Sequence, residues 1–301
     1  MIPSGVDIMK TVFIAGCGYI GERVARLARQ AGMEVTCMVR NPENGSRLAG
    51  EGFETVIAAL DDPGAIPALD VAGKTVFYLV PPPGGGFSDT RARNFCSALA
   101  AAPGLPERIV YMSATSVYSA TDGSVVTEQS PAVPASAMGK RRLDAERAFR
   151  EYGAAFGVPL VILRVSGIYG PGRLPLMQIS QGQPLLREEE SGPSNRIHAD
   201  DLARICIAAA EQGDDSEIFN VSDGHPCSMT DYFNACADAL GMPRQPQISR
   251  EEARSAMSPL MFSYTTETRV VDSSRMFSRL GITLVYPTLR EGLQASLEKR
   301  A

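Results

Sequence analysis

Thr11-Val12-Phe13-Ile14-Ala15-Gly16-Cys17-Gly18-Tyr19-Ile20-Gly21 is an apolar, β-prone run that passes into a GxGxxG spacing and then into a helical pattern from Ile20 to Gln30. Position gives the spacing its meaning: a glycine loop between a strand and a helix brings bare backbone up to a phosphate. Gly16 permits the tight turn, Gly18 lets the chain approach a pyrophosphate, and Gly21 allows close helix packing. The helix start adds free amide donors for negative charge. The loop therefore reads as a phosphate cradle formed by Gly16, Gly18, Tyr19, Ile20 and Gly21, with a purely structural glycine turn as the bland alternative.

Outward from this loop, short β-branched runs alternate with helical patterns. Strands are expected at Glu34 to Val39, Thr55 to Ala58, Thr75 to Val80, Arg108 to Met112 and Leu160 to Val165, and helices at Asp89 to Ala102 and Gly139 to Tyr152. That rhythm predicts parallel βαβ units, hence an α/β, Rossmann-type doubly wound sheet. After Gly170 the texture changes to prolines 171, 175, 184 and 193 and the acidic triplet Glu188 to Glu190. Residues 1–168 plus about 196–225 are expected to form the dinucleotide domain, and about 169–195 plus 226–301 a smaller substrate-binding region. The Pro/Gly stretch Pro81 to Gly86 reads as a rigid rim at a strand end.

The second strand closes on Met38-Val39-Arg40-Asn41, where an NAD site usually places a carboxylate for the ribose hydroxyls. Arg40 instead offers a planar donor fork suited to a 2′-phosphate, so NADP(H) is expected over NAD(H). Leu60, Val80 and Ser113, at or near the ends of successive strands, complete the expected cofactor contacts together with Arg142.

With 29 basic against 34 acidic residues and no basic block, nucleic acid is not an expected partner. No apolar run approaches the roughly 20 residues of a membrane span, and Met1 to Lys10 lacks the order of a signal peptide, so a cytoplasmic protein is expected. Six dispersed cysteines and two histidines, His198 and His225, suggest neither a disulfide framework nor a metal site.

Several segments together resemble the extended short-chain dehydrogenase/reductase family, which includes nucleotide-sugar epimerases and dehydratases. The carriers are the glycine loop, Val110-Tyr111-Met112-Ser113-Ala114-Thr115-Ser116-Val117-Tyr118, Leu163-Arg164-Val165-Ser166-Gly167-Ile168-Tyr169-Gly170-Pro171-Gly172, Arg196-Ile197-His198-Ala199-Asp200-Asp201-Leu202-Ala203 and Phe219-Asn220-Val221-Ser222-Asp223. The resemblance implies a sheet of about seven strands, a small interleaved substrate domain, and a homodimer through the helices at Asp89 to Ala102 and Gly139 to Tyr152. The family's first glycine falls on Ala15, which points to an atypical, YeeZ-like branch.

The family's chemistry rests on a Tyr four residues before a Lys, with a Ser or Thr holding the substrate oxygen. Here Met138 falls on the tyrosine, Arg142 on the lysine and Ala114 on the hydroxyl position. A thioether cannot donate a proton. Thr115, Ser116, Tyr118 and Lys140 are candidate replacements, or second-layer polar residues, and Arg142 still supplies charge to the nicotinamide ribose. Arg173, Arg196, Arg269 and Arg275 are cations of the substrate region that could meet an anionic group. Two functions follow as expectations: an NADP(H)-dependent oxidoreductase or epimerase/dehydratase acting on a small polar, sugar-like substrate with atypical catalytic residues, or a catalytically silent NADP(H)-binding sensor.

Overall fold

The computed structural model describes residues 9–298, so of the opening Met1 to Lys10 only Met9 and Lys10 fall among the described residues. Strand β1 (Thr11–Ala15) shows why the sheet is buried on both sides. Val12 and Ile14 point into one core cluster, Phe13 and Ala15 into another, and all four are fully buried. This is period-two alternation with apolar residues on both faces, the mark of a central parallel strand. Strands β2 (Glu34–Val39), β3 (Glu54–Ile57), β4 (Thr75–Tyr78), β5 (Arg108–Ala114), β6 (Leu160–Val165) and β7 (Ile218–Val221) join it in one seven-stranded sheet. The order is β7-β6-β5-β4-β1-β2-β3, and every pairing is parallel. The winding reverses between β1 and β4, which opens a crevice at the carboxyl ends of those strands.

Helices cover both faces. On one side α1 (Gly21–Gln30) and α5 (Ala199–Gln212) pack Val24, Ala28, Leu202 and Ile205 against Ile14, Phe77 and Leu163. On the other, α3 (Thr90–Ala100) and α4 (Ala137–Phe156) bring Phe95 and Phe149 onto Tyr78 and Tyr111, with ring centroids 4.8–5.9 Å apart along the Tyr78 contacts. Each buried aromatic contributes about 1.5–3 kcal/mol through area alone. Helix α2 (Pro42–Gly50) is an element the periodicity did not suggest. Its start was nevertheless written locally: Asn41 Oδ1 accepts from Glu43 N at 2.8 Å, with proline next in line.

A smaller cluster gathers Tyr169, Leu174, Leu185, Tyr232, Phe233 and Leu293, drawing on helices α6 (Met229–Ala239) and α7 (Leu289–Glu298). Met276, Leu280 and Leu284 lie in the segment expected to belong to this smaller region, yet they pack into the core beneath the main sheet. Among the described residues no helix is long and apolar enough to cross a membrane, and no three His, Cys, Asp or Glu side chains gather as a metal site.

Candidate dinucleotide site

The glycine loop turns directly off β1. Gly16 has φ of +89°, which side chains avoid, and its amide and that of Cys17 donate to Met38 O at 3.1 and 3.0 Å, stitching the loop to β2. The three glycines do separate jobs. A Cβ at Gly16 would come within 2.9 Å of Val80 N, and one at Gly21 within 2.5 Å of Gly16 O, whereas one at Gly18 would meet nothing within 4 Å. Gly16 and Gly21 are therefore demanded by packing inside the protein, and Gly18 faces open space. That space is a cavity of about 480 Å³, lined by the whole loop from Gly16 to Gly21. No side chain caps the start of α1 at Ile20, so the helix presents its positive end to the cavity. A pyrophosphate fits this cradle: backbone without side chain where it must approach, and a helix terminus of matching charge.

The far end of the cavity is polar and cationic. Arg40, Asn41 and Asn44 line it at the end of β2 and the start of α2, and Arg40 is exposed at the rim. Ala58, Leu60 and Asp61 follow β3. Asp61 takes a two-pronged bond from Arg91, Nε at 2.7 Å and Nη2 at 3.0 Å, and these bonds hold its carboxyl below the usual carboxylate range. Arg91 also donates to Pro81 O at 3.1 Å, anchoring the Pro/Gly rim that borders the cavity. The pairing of Asp61 with Arg91 spans thirty residues of sequence and was not legible from it.

The expected cofactor residues Gly16, Gly18, Tyr19, Ile20, Gly21, Arg40, Leu60, Val80 and Arg142 all line this one cavity. Ser113 does not. It is buried behind the cavity, and its Oγ donates to Glu146 Oε1 at 2.7 Å. Glu146 in turn receives Arg164 Nε at 3.0 Å and Arg164 Nη2 at 2.9 Å. Burial pushes the Glu146 carboxyl up, but the bonds from Arg164 outweigh it and leave the group below the usual range.

The candidate proton donors are placed elsewhere. Tyr118 is buried with its hydroxyl already engaged, donating to Asn220 Oδ1 at 2.7 Å and accepting from Arg164 Nη1 at 3.0 Å. Burial pushes its phenol up, so it is held as a neutral strut. Thr115 offers its carbonyl to Arg269 Nη1 at 2.8 Å, and Lys140 rests its ammonium over the Phe87 ring at 4.7 Å. None of Thr115, Tyr118 and Lys140 lines the cavity; Arg142 does, with Nη1 donating to Met112 O at 3.0 Å. Met138, in the tyrosine's place, is 41% exposed. Ser136 caps α4 by accepting from Gly139 N at 3.2 Å, which assigns its hydroxyl to the helix start. Among the four cations of the substrate region, Arg269, Arg275 and Arg196 are committed to Ala120 O and Thr115 O, to Glu217, and to the Tyr232 ring respectively. Arg173 alone of the four lines the cavity, a position that sequence spacing did not reveal.

Sheet order, glycine cradle and cavity together define a dinucleotide-binding protein of the doubly wound α/β class. The model of the NAD dependent epimerase/dehydratase family matches residues 12–222, and the chain belongs to that family. It is similar to UDP-glucose 4-epimerase of Corynebacterium glutamicum, 25% identical over 283 residues that cover 81% of this chain and 84% of the relative. It is also similar to Protein YeeZ of Escherichia coli, 24% identical over 288 residues, 93% of this chain and 97% of the relative. Among solved structures, the UDP-glucuronic acid 4-epimerase of Bacillus cereus in complex with NAD superposes with a TM-score of 0.73 over 96% of this chain and 97% of that one, at 19% identity. At that identity the likeness establishes the shared fold. The bound dinucleotide in that structure is NAD.

Proposed function

We propose that this protein is an NADP(H)-dependent oxidoreductase or epimerase/dehydratase that acts on a small polar, sugar-like substrate. The observation that carries the cofactor reading is the cavity's ribose end, where β2 closes on Arg40 and Asn41 and no carboxylate follows them before Glu43. A carboxylate there would repel a 2′-phosphate; a guanidinium at the rim attracts one. The family and the sugar-nucleotide epimerases among its relatives support the substrate class. The nicotinamide, when bound, supplies hydride acceptance and return. The chain's own part is to fix the pyrophosphate on the glycine loop, hold the ribose end with Arg40, and place the Arg142 guanidinium at the opposite side of the cavity.

One observation favours the alternative, a catalytically silent NADP(H) sensor. Among the described residues, Tyr19 carries the only side-chain hydroxyl that lines the cavity, and it donates to Pro171 O at 3.0 Å. A phenol so engaged is a poor general acid. Calorimetry and turnover separate the readings. A charge-assisted contact of about 1.5–3 kcal/mol predicts that NADPH binds about ten- to hundredfold more tightly than NADH, and that Arg40→Ala removes the difference. Equal affinities refute the NADP(H) assignment. Hydride transfer with a nucleotide-sugar or carbonyl substrate supports the enzyme; its absence across a broad panel, with NADPH binding intact, favours the sensor.

A further inference from the structure

The turn Gly170-Pro171-Gly172-Arg173 follows the short strand Gly167–Tyr169 and folds back over the glycine loop. Arg173 N closes the turn on Gly170 O at 3.0 Å, and Tyr19 Oη ties it to the loop by donating to Pro171 O at 3.0 Å. The fit is close, since a Cβ at Gly170 would stand 2.7 Å from Tyr19 Oη. Two guanidiniums share the Tyr19 ring, Arg23 at 4.0 Å and Arg173 at 4.7 Å from its centroid. Arg23 is committed, bonding Asp200 Oδ1 at 2.7 Å and Tyr19 O at 2.7 Å. The Arg173 guanidinium forms no hydrogen bond or ion pair among the described residues, yet it is steered by an aromatic ring onto the cavity that also receives the positive end of α1. Arg173 is exposed at the cavity mouth, and an anion seated there meets two positive poles at once.

We propose that Arg173 grips the dinucleotide pyrophosphate from the side opposite the glycine loop, so that the anion is clasped between backbone amides and a planar donor fork. The proposal rests on the dinucleotide reading above and adds to it a positioning role for Tyr19, which holds both the turn and the guanidinium in place. It also gives cofactor binding a structural reach: the pyrophosphate bridges the nucleotide sheet and the first residues of the chain that leads to the smaller cluster, where Leu174 is buried. A fork-to-phosphate contact formed only with ligand strengthens every pyrophosphate-bearing nucleotide alike and ignores the 2′ position.

The test is calorimetric, with full-length wild type, Arg173→Ala, Arg173→Lys and Arg40→Ala, titrated with NADP+, NAD+ and adenosine 2′-monophosphate, which lacks a pyrophosphate. Arg173→Ala is expected to weaken NADP+ and NAD+ by the same factor, about ten- to hundredfold, and to leave adenosine 2′-monophosphate unchanged. Arg173→Lys recovers part of the loss, because charge returns without the fork. Arg40→Ala shows the crossed pattern, weakening NADP+ and adenosine 2′-monophosphate while sparing NAD+. Because the free protein gives the Arg173 guanidinium no polar partner, Arg173→Ala keeps the wild-type melting temperature; a fall of several degrees accompanying the affinity loss would assign a structural role and overturn the clasp. Unchanged dinucleotide affinity in Arg173→Ala overturns the clasp and leaves the dinucleotide reading standing. Failure of wild type to bind any of the three ligands overturns both.

Discussion

Replacing Tyr118 by Phe removes one oxygen from a site where two buried groups depend on it. The hydroxyl donates to Asn220 Oδ1 at 2.7 Å and accepts from Arg164 Nη1 at 3.0 Å, and all three side chains are buried. Arg164 keeps its two bonds to Glu146, and Asn220 keeps its Nδ2 bond to Asp272 O at 3.1 Å, so the network is wounded rather than dissolved. Leaving a buried acceptor unpaired costs about 1–3 kcal/mol, and losing a bond from a charged donor costs about 1.5–3 kcal/mol. The two losses share one oxygen and overlap, so a total of about 2–4 kcal/mol is expected, which lowers Tm by roughly 3–6 °C in a chain of this size. Denaturant unfolding measures the loss, and NADPH calorimetry on the same samples is expected to return the wild-type affinity, since Tyr118 does not line the cavity. If the protein turns over, kcat in Tyr118→Phe equals that of wild type. Full stability combined with a hundredfold fall in kcat would make Tyr118 the relocated acid and refute the strut.

Gly18→Val places a branched side chain where the ideal Cβ meets nothing within 4 Å; the fold tolerates it, and dinucleotide affinity falls by about 1–3 kcal/mol or more, roughly tenfold to a hundredfold, as calorimetry beside a thermal melt will show. Glu146→Gln removes one partner of a buried ion pair whose side chains are 0% and 4% exposed, and is expected to cost about 3–5 kcal/mol at neutral pH in urea unfolding. Because the Glu146 carboxyl lies below its usual value in the folded protein, its contribution is fully present above the unfolded carboxylate range, near pH ~4.3, and is lost as pH falls through the folded value. The stability gap between wild type and Glu146→Gln therefore closes on the acid side of that window, and a gap independent of pH contradicts the pairing.

The parts of the fold legible in the sequence are those whose signals are local. Strands Thr11–Ala15, Glu34–Val39 and Leu160–Val165 fall on the residues that composition and turn punctuation mark out. Boundaries drift where tertiary contacts extend an element. Strand β5 runs on to Ala114 because its Ser113 and Ala114 pair with Arg164 and Val165 of β6, a partner 51 residues away. Helix α4 begins at Ala137 rather than Gly139 because Ser136 caps it. Helix α2 leaves only the Asn41-Pro42 start signal in the sequence, since its segment carries only two buried residues, Gly45 and Leu48, and so has little periodicity to read.

The candidate site divides along the same line. A phosphate cradle is made of consecutive backbone, so its residues are adjacent in sequence and their spacing names them. Arg40 is legible for a related reason, because a strand end projects its next residue into the crevice at a fixed place. A proton donor is different: it must meet its partner across the fold, and the same residue types serve buried networks equally well. Tyr118 is the instructive case. Its sequence neighbourhood suggests chemistry, yet its partners Arg164 and Asn220, 46 and 102 residues away, consume both capacities of its hydroxyl. Arg173 is the converse: the sequence marks it only as one of four cations that could meet an anion, and only the closure of its turn onto Tyr19 brings it to the cavity. The distinction between a group that reacts and one that braces is thus set by what already occupies its hydrogen bonds. In this chain those occupants lie where no spacing rule reaches.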